Sequence, residues 1–242
     1  MDLRLALMCG TDIPVPECQL VVHQPTMREI SYIGEEDFFT GVQTLCIQKN
    51  MVTQDESLLA NMSNFQIFMT IMTEKETRDK RECVMKLFQM IFPLYKVSIL
   101  PRGIYITFEG QPLASLDETN FEPLQQIVRQ IFCVNDGPMG QTAFNPADEQ
   151  AKAIAEKLMR GRQRVAAQNG QAQASPFAQY LSTLTVGLGS MSLHDCMNLT
   201  MYQLLDLVER YMLYVDWDID IRSRLAGAKP ESKPDNWMKN IH

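Results

Sequence analysis

KVSILPRGIYITFEGQPLASL, residues 96–116, is the stretch that decides the fold class. Two β-prone segments, Lys96 to Leu100 and Ile104 to Phe108, are joined by three residues that include Gly103. A glycine in such a connection can take the left-handed conformation of a bulged hairpin. Gln111 to Leu116 supplies a third strand. We therefore expect an α+β protein, predominantly helical, in which amphipathic helices accompany a small antiparallel sheet.

Helical periodicity dominates the segments on either side of these strands. A capping box of Thr26 and Glu29 predicts one helix start, Gly34 interrupts that helix, and Pro93 ends a later one. Apolar residues recur three or four positions apart in four stripes. The stripes are Phe38, Val42 and Leu45; Leu58, Met62, Phe65, Met69 and Met72; Val84, Leu87, Phe88 and Ile91; and Phe121, Leu124, Val128 and Ile131.

The first residues of the chain predict strands. Leu3, Leu5 and Leu7 alternate with Arg4 and Ala6, which is typical of a half-buried strand. Residues 19–23, QLVVH, offer a second strand. Both segments are short, so we expect them to form a minor part of an otherwise helical N-terminal domain.

Opposite charges lie four residues apart between residues 74 and 82. Examples are Glu74 with Arg78 and Glu76 with Lys80. On a helix such pairs contribute only about 0.2–0.5 kcal/mol each. This segment therefore predicts a solvated helical face and not a catalytic cluster.

The second half of the sequence predicts helices with one linker. Asn145 and Pro146 form a strong helix start, and that helix should run to about Gln168. Residues 169–175, NGQAQAS, predict a flexible linker because they are small, polar and uncharged. Capping patterns at 192–195 and 200–203 then predict two helix starts. The last long helix carries an apolar pattern of Met201, Leu204, Leu205, Val208, Tyr211, Met212, Val215 and Ile219. We divide the chain into an α+β domain (residues 1–140), a basic helix with a polar linker (141–175) and an all-α domain (176–242).

Composition limits the classes of function. The chain has 242 residues, is 45% hydrophobic and carries a formal net charge of −7, which favours a folded, soluble protein and argues against general binding to nucleic acids or anionic membranes. Residues 165–194 lack charges but are rich in polar side chains, so we expect no membrane-spanning helix there. The six cysteines are scattered, which favours free, buried thiols.

No motif in the sequence predicts catalysis, a metal or a cofactor. The three histidines lie far apart, GxSxG is absent, and the glycines at 187 and 189 lack the spacing of a phosphate loop. Asp216, Asp218 and Asp220 invite comparison with a calcium loop, but Ile221 replaces the required glycine. We favour ion pairs of Asp218 with Arg222 and of Asp220 with Arg224. The chain is therefore predicted not to be an enzyme.

Two features predict contacts with other molecules. Lys157, Arg160, Arg162 and Arg164 give the predicted central helix a basic C-terminal end that suits the helix dipole and could also contact an acidic partner or phosphates. No aromatic residues are interleaved with them, so nucleic acid is the weaker interpretation. The sixteen methionines favour adaptable apolar contacts with another protein, although core packing is the commoner explanation for any one methionine.

Three stretches together resemble a known group of proteins. They are VVHQPTMREISYIGEEDFF (21–39), FNPADEQAKAIAEKLMRGRQRVAAQ (144–168), and YMLYVDWDIDIRSRLAGAK (211–229) with the closing NWMKNIH (236–242). The resemblance is to proteins encoded in tail modules of tailed bacteriophages, of the tail assembly chaperone or baseplate-assembly type. It carries no functional residue, because none of the matched stretches has known chemistry.

The resemblance implies a non-enzymatic role in phage tail morphogenesis, carried out in the cytoplasm of the host bacterium. Its expected partners are phage tail proteins, above all the tape measure protein, whose apolar helices a tail assembly chaperone would shield. A second copy of the chain is a further candidate partner. The alternative is a structural component of the virion, in the tail, baseplate or neck.

Overall fold

A computed structural model describes residues 2–49, 62–101, 103–134, 175–227 and 236–238. The fold is α+β and predominantly helical, as the sequence predicts. A short 3-10 turn, Pro16–Cys18, joins the first two strands. The elements in chain order are α1 (Leu3–Cys9), β1 (Ile13–Val15), β2 (Leu20–Val22), α2 (Met27–Ile33), α3 (Glu35–Leu45), α4 (Asn64–Thr73), α5 (Arg78–Ile91), β3 (Lys96–Leu100), β4 (Gly103–Phe108), β5 (Gln111–Leu116), α6 (Phe121–Ile131), α7 (Pro176–Leu188), α8 (Leu193–Met197) and α9 (Met201–Leu225).

The prediction of a strand at Leu3 to Leu7 is wrong, because these residues form helix α1. The Asp2 carboxylate accepts a hydrogen bond from the Leu5 N–H and caps the first turn. Gly10 adopts a left-handed φ of 66° and ends the helix. The caps at Asp2 and Gly10 favour a helix, and their effect is larger than that of the short apolar alternation, which predicts a strand. The strand that pairs with β2 is instead β1, with Ile13 opposite Val22.

The charged segment also differs in part from its prediction. Helix α5 begins at Arg78, so Glu74 and Glu76 precede it and the expected helical pairs with Arg78 and Lys80 do not form there. The Thr77 hydroxyl donates to the carbonyls of Ile71 and Glu74, which closes a turn between α4 and α5. Arg78 pairs with Glu82 one helical turn further on.

The sheet β3-β4-β5 is antiparallel and follows the predicted order. Val97 lies opposite Ile106, and Ile104 lies opposite Leu116. Gly103 has a φ of 158° instead of the left-handed conformation that we expected, and a Cβ there would come within 3.0 Å of the Leu116 carbonyl oxygen. Glycine is therefore required at this turn because of the close approach of β5.

A single hydrophobic core joins the sheet to helices from both parts of the chain. Its largest fully buried side chains include Phe38, Phe68, Phe88, Phe92, Phe121 and Phe132. Phe177 of α7 enters the same core beside Phe38 and Phe39, with ring centroids at 6.1 and 5.0 Å. Its N–H donates to the Glu35 carboxylate over 2.8 Å. Helix α7 therefore packs directly on α3. The predicted division at residues 141–175 lies almost wholly outside the described residues and stays a prediction.

Candidate interaction surface

The basic face that the sequence singled out lies outside the described residues. Lys157, Arg160, Arg162 and Arg164 fall between residues 135 and 174, and their role stays a prediction. Within the described ranges, no helix combines the length and hydrophobicity of a membrane span. Among the same residues, no three His, Cys, Asp or Glu side chains meet in a way that could hold a metal ion.

The acidic run near the C-terminus forms ion pairs, as predicted. Asp218 accepts a 2.8 Å contact from Arg222 Nε, and Asp220 accepts one of the same length from Arg224 Nε. Each pair spans one turn of α9, where residues four apart are neighbours. The carboxylates are thus engaged with arginines on their own helix.

Three cysteine thiols are kept protonated by their surroundings. Burial raises the pKa of Cys46 to about 12, and it raises the pKa of Cys133 to the same region, with the nearby Asp206 and Glu209 adding to the effect. Burial likewise raises the pKa of Cys18 to about 11. Because the thiolate is the nucleophile, these three residues are inert near neutral pH.

A surface depression of about 480 Å³ lies over one face of α5. It is lined by Arg78, Arg81, Glu82, Met85, Lys86 and Gln89. All of these residues come from a single helix, and two of the cations are already paired, Arg78 with Glu82 and Lys86 with Asp37. We interpret this depression as a solvated charged face.

Helix α9 begins at a junction between the two parts of the chain. Thr200 and Gln203 form its capping box, and Thr26 forms the equivalent box of α2 with Glu29. The two caps lie side by side, since Thr26 and Thr200 form an isolated antiparallel β-bridge. Gln203 Nε2 also donates to the Met8 carbonyl over 2.8 Å. These bonds fix the direction in which α9 leaves the core.

One face of α9 carries apolar residues along its whole length. Met201, Leu204 and Val208 lie on this face at helical spacing and are buried in the core. Met212, Val215 and Ile219 continue the same row. We call these three residues the apolar stripe. Along it Met212 is 58% exposed and Ile219 is 57% exposed. The helix therefore extends beyond the core while keeping the side-chain pattern of a buried helix.

Periodicity distinguishes this surface from isolated exposed apolar residues. Tyr32, Leu94 and Val186 are also well exposed, but they lie singly, on α2, in the turn before β3 and on α7. Isolated apolar residues are normal on protein surfaces, whereas a contiguous apolar row is typical of an interaction site. The sequence showed the row as part of a long helical pattern and could not show where the core ends.

A second set of residues lies on the opposite side of the distal half of α9. Arg210, Tyr214 and Trp217 are three or four positions apart, and we call them the aromatic face. The rings of Tyr214 and Trp217 have centroids 6.1 Å apart. At about 100° per residue this face points away from the apolar stripe. Sequence reasoning missed it, although the spacing of Tyr214 and Trp217 was a usable signal.

Trp237 contacts the aromatic face. Trp237 packs edge-on against Tyr214 with a centroid distance of 5.6 Å, and Arg210 Nη1 donates to the Trp237 carbonyl over 3.0 Å.

Residues 170–242 match a family model described as the YomV second domain. YomV is a protein of the Bacillus phage SPbeta region, so the match suggests a phage-derived family for this part of the chain. It covers α7, α8, α9 and the C-terminal segment, which includes both surfaces described above. Comparison with curated proteins gives no match, and comparison with solved structures gives none either. The match spans well under half of the chain and identifies no binding partner.

Proposed function

We propose that this chain is a non-enzymatic phage tail morphogenesis protein, a tail assembly chaperone that shields apolar helices of the tape measure protein. The exposed apolar stripe of α9 is the observation that carries the proposal. Its position within the residues that match a phage-type domain supports a role in phage assembly. In this proposal the chain acts in the cytoplasm of the host bacterium and works by binding alone.

The stripe fits an amphipathic helix better than it fits a small molecule. Met212 and Ile219 are seven residues apart, which is two helical turns and about 10.5 Å along the axis. A partner helix with apolar residues at positions i, i+3 or i+4, and i+7 would meet them in register. Methionine is unbranched and polarizable, so Met212 can adapt to partners with different side chains.

The size of the stripe favours a reversible contact. Fully burying an apolar side chain of this kind contributes about 1.5–3 kcal/mol before the cost of association is subtracted. Two or three such side chains give weak binding for one copy. Many copies on a long helical partner would protect it collectively and could still be displaced one at a time, as a chaperone of tail assembly requires.

Charges beside the stripe keep it compatible with water in the free protein. Glu209 and Asp216 lie along the row on its exposed side, and Arg222 follows near its end. The net charge of −7 adds to solubility and disfavours non-specific self-association. A partner helix with basic residues flanking its apolar face would complement Glu209 and Asp216.

Co-expression with the tape measure protein of the same phage tests the proposal. We expect the chain to keep that protein soluble and to be retained with it in a pull-down. Met212→Asp combined with Ile219→Asp should abolish retention, because both changes place charge in the stripe. Leu94→Asp is the matched control, since Leu94 is exposed but lies outside α9. Equal retention of the stripe variant and the control would contradict the proposal.

Mass spectrometry of purified virions separates the chaperone from a structural tail, baseplate or neck protein. A chaperone should be absent from virions or far below stoichiometric amounts. A fixed copy number in the particle would contradict the chaperone proposal and support a structural role in the tail, baseplate or neck.

A further inference from the structure

The exposed half of α9 contains a stretch of residues that do not favour a helix. In α9, which the structure describes from end to end, the buried residues end at Val208. The stretch YVDWDIDI, residues 214–221, lies beyond that point. It consists of tyrosine, valine, tryptophan, isoleucine and aspartate, which all have lower helix propensities than alanine, leucine, methionine or lysine. Burial in the core and intrinsic helix preference therefore contribute little to its helical form.

The same stretch has the sequence pattern of a β-strand. Its apolar residues alternate with Asp216, Asp218 and Asp220, and they are Val215, Trp217, Ile219 and Ile221. Such an alternation of β-branched or aromatic residues with polar ones is typical of a half-exposed strand. In an extended form the four apolar side chains would lie on one face and the three carboxylates on the other. The local sequence preference and the observed helix therefore disagree.

The extended form would remove the apolar stripe. Met212, Val215 and Ile219 share one face only because a helix has 3.6 residues per turn. In a strand, successive side chains point to opposite faces, so Met212 would lie on the other side from Val215 and Ile219. The stripe therefore exists only while residues 214–221 are helical.

Ion pairs within α9 support the helical form. Asp218 with Arg222 and Asp220 with Arg224 are each four residues apart, a spacing that makes them neighbours on a helix. Partly exposed pairs of this kind contribute little stability. A further contact is needed to explain why the stretch stays helical.

Trp237 supplies such a contact at the turn of α9 that leads into the stretch. Its ring meets Tyr214 at an interplanar angle of 80°, the edge-to-face arrangement that aromatic pairs prefer. Its carbonyl accepts a charge-assisted hydrogen bond from the guanidinium of Arg210 over 3.0 Å. Arg210 and Tyr214 are about 6 Å apart along a helix axis but about 13 Å apart along a strand. One residue can therefore contact both when this turn is helical, and an extended chain would separate them.

We propose that Trp237 is a conformational lock, which keeps residues 214–221 helical by bridging Arg210 and Tyr214 of its own helix. Without Trp237 the stretch leaves the helical form more often, whereas the half of α9 that is anchored in the core stays folded. Trp237 lies on the opposite side of α9 from the apolar stripe, so it acts as a positioning residue. Its effect on binding of the tape measure protein rests on the proposed function, because the helical form presents the stripe.

Amide hydrogen exchange of the whole chain, followed by mass spectrometry, tests the lock. In Trp237→Ala the amides of residues 214–221 should exchange about two- to tenfold faster than in the wild type, because an edge-to-face contact is lost. The amides of residues 201–208 should not change. Trp237→Phe keeps an aromatic ring and should remain closer to the wild type. Met238→Ala is the matched control, since Met238 is exposed beside Trp237.

A rescue variant tests whether Trp237 opposes the local strand preference. Val215→Leu, Ile219→Leu and Ile221→Leu together keep the apolar character of the stretch and raise its helix propensity. Added to Trp237→Ala, they should return exchange at residues 214–221 to within about twofold of the wild type. If the leucines do not slow this exchange, the strand preference is not what the lock opposes.

Two other results would overturn the lock itself. One is equal exchange at residues 214–221 in Trp237→Ala and Met238→Ala. The other is an equal acceleration at residues 201–208, which would show a global loss of stability. Retention of the tape measure protein is measured separately, so the lock and the proposed function can fail independently.

Discussion

The ring of Tyr211 on α9 lies against Gly187 on α7, in the space that a Cβ at residue 187 would occupy. This close approach brings the two helices together just before α9 leaves the core. Gly187 is also followed by Gly189, whose left-handed φ of 62° ends α7. The pair therefore helps to decide where the packed half of α9 stops and the exposed half begins.

Gly187→Ala should lower the free energy of unfolding by about 1–2 kcal/mol, because the new methyl group displaces the Tyr211 ring. In a Tyr211→Ala background the same change should instead be neutral or stabilising by up to about 1 kcal/mol, since alanine favours a helix more than glycine does. Urea denaturation of the four chains measures both effects. Equal effects of Gly187→Ala in the two backgrounds would show that the ring does not need this space.

Gln125→Ala should cost about 1–3 kcal/mol of stability. The buried Gln125 amide donates to the carbonyl oxygens of Leu45 and Ile47 over 3.0 and 2.8 Å, at the C-terminal end of α3. The Leu45 carbonyl belongs to the last turn of α3 and the Ile47 carbonyl follows the helix, so the helix supplies neither with a donor. Both would lose the Gln125 amide in a place that water reaches poorly. Gln126→Ala, at the exposed neighbouring position, is the matched control and should change thermal stability little.

Glu29→Gln should make the free energy of unfolding depend less steeply on pH around pH 4.5. Burial alone would raise the pKa of Glu29, but hydrogen bonds from the Thr26 N–H and hydroxyl, together with the nearby His23, outweigh burial and hold it below its ordinary value of 4.5. The unfolded chain therefore takes up the proton first as pH falls, and the stabilisation present above 4.5 is lost as pH drops through the folded pKa.

Unfolding measured by circular dichroism across this pH range checks the effect. Glu36→Gln, which changes an exposed carboxyl in the first turn of α3, is the control and should keep the wild-type slope. Some slope will remain in every variant, because Asp37, Asp117 and Asp195 also have a lowered pKa. A slope for Glu29→Gln as steep as that of Glu36→Gln would contradict the prediction.

Shortening a side chain in the apolar row of α9 should destabilise the protein only where that side chain is buried in the core. Leu204→Ala should destabilise the protein by about 2–5 kcal/mol, because it leaves a cavity among buried side chains. Met212→Ala should change stability by less than about 0.5 kcal/mol, because Met212 is already exposed. Thermal denaturation of the two variants checks this contrast. A large loss for Met212→Ala would mean that the stripe is part of the folding core.

Sequence reasoning succeeded where a local interaction determined the structure. The capping boxes of Thr26 and Thr200 are formed as their spacing predicts, because a cap needs only residues three positions apart. It failed at α1, where alternation suggested a strand and the caps at Asp2 and Gly10 were overlooked. The functional site was predicted less well than the fold. The basic face that the sequence predicts lies outside the described residues, and the aromatic face was missed.

By itself, the sequence determined the fold class, the β3-β5 sheet and the ends of most helices, because periodicity, caps and turn residues act over a few positions of the chain. Only the tertiary structure decided which part of the α9 row is buried, since that depends on how far α7, α1 and α6 extend beside it. Met201 and Ile219 belong to the same pattern, yet the first is 4% exposed and the second 57%. Burial is a property of neighbours that are distant in the chain, and no local pattern specifies where those neighbours end.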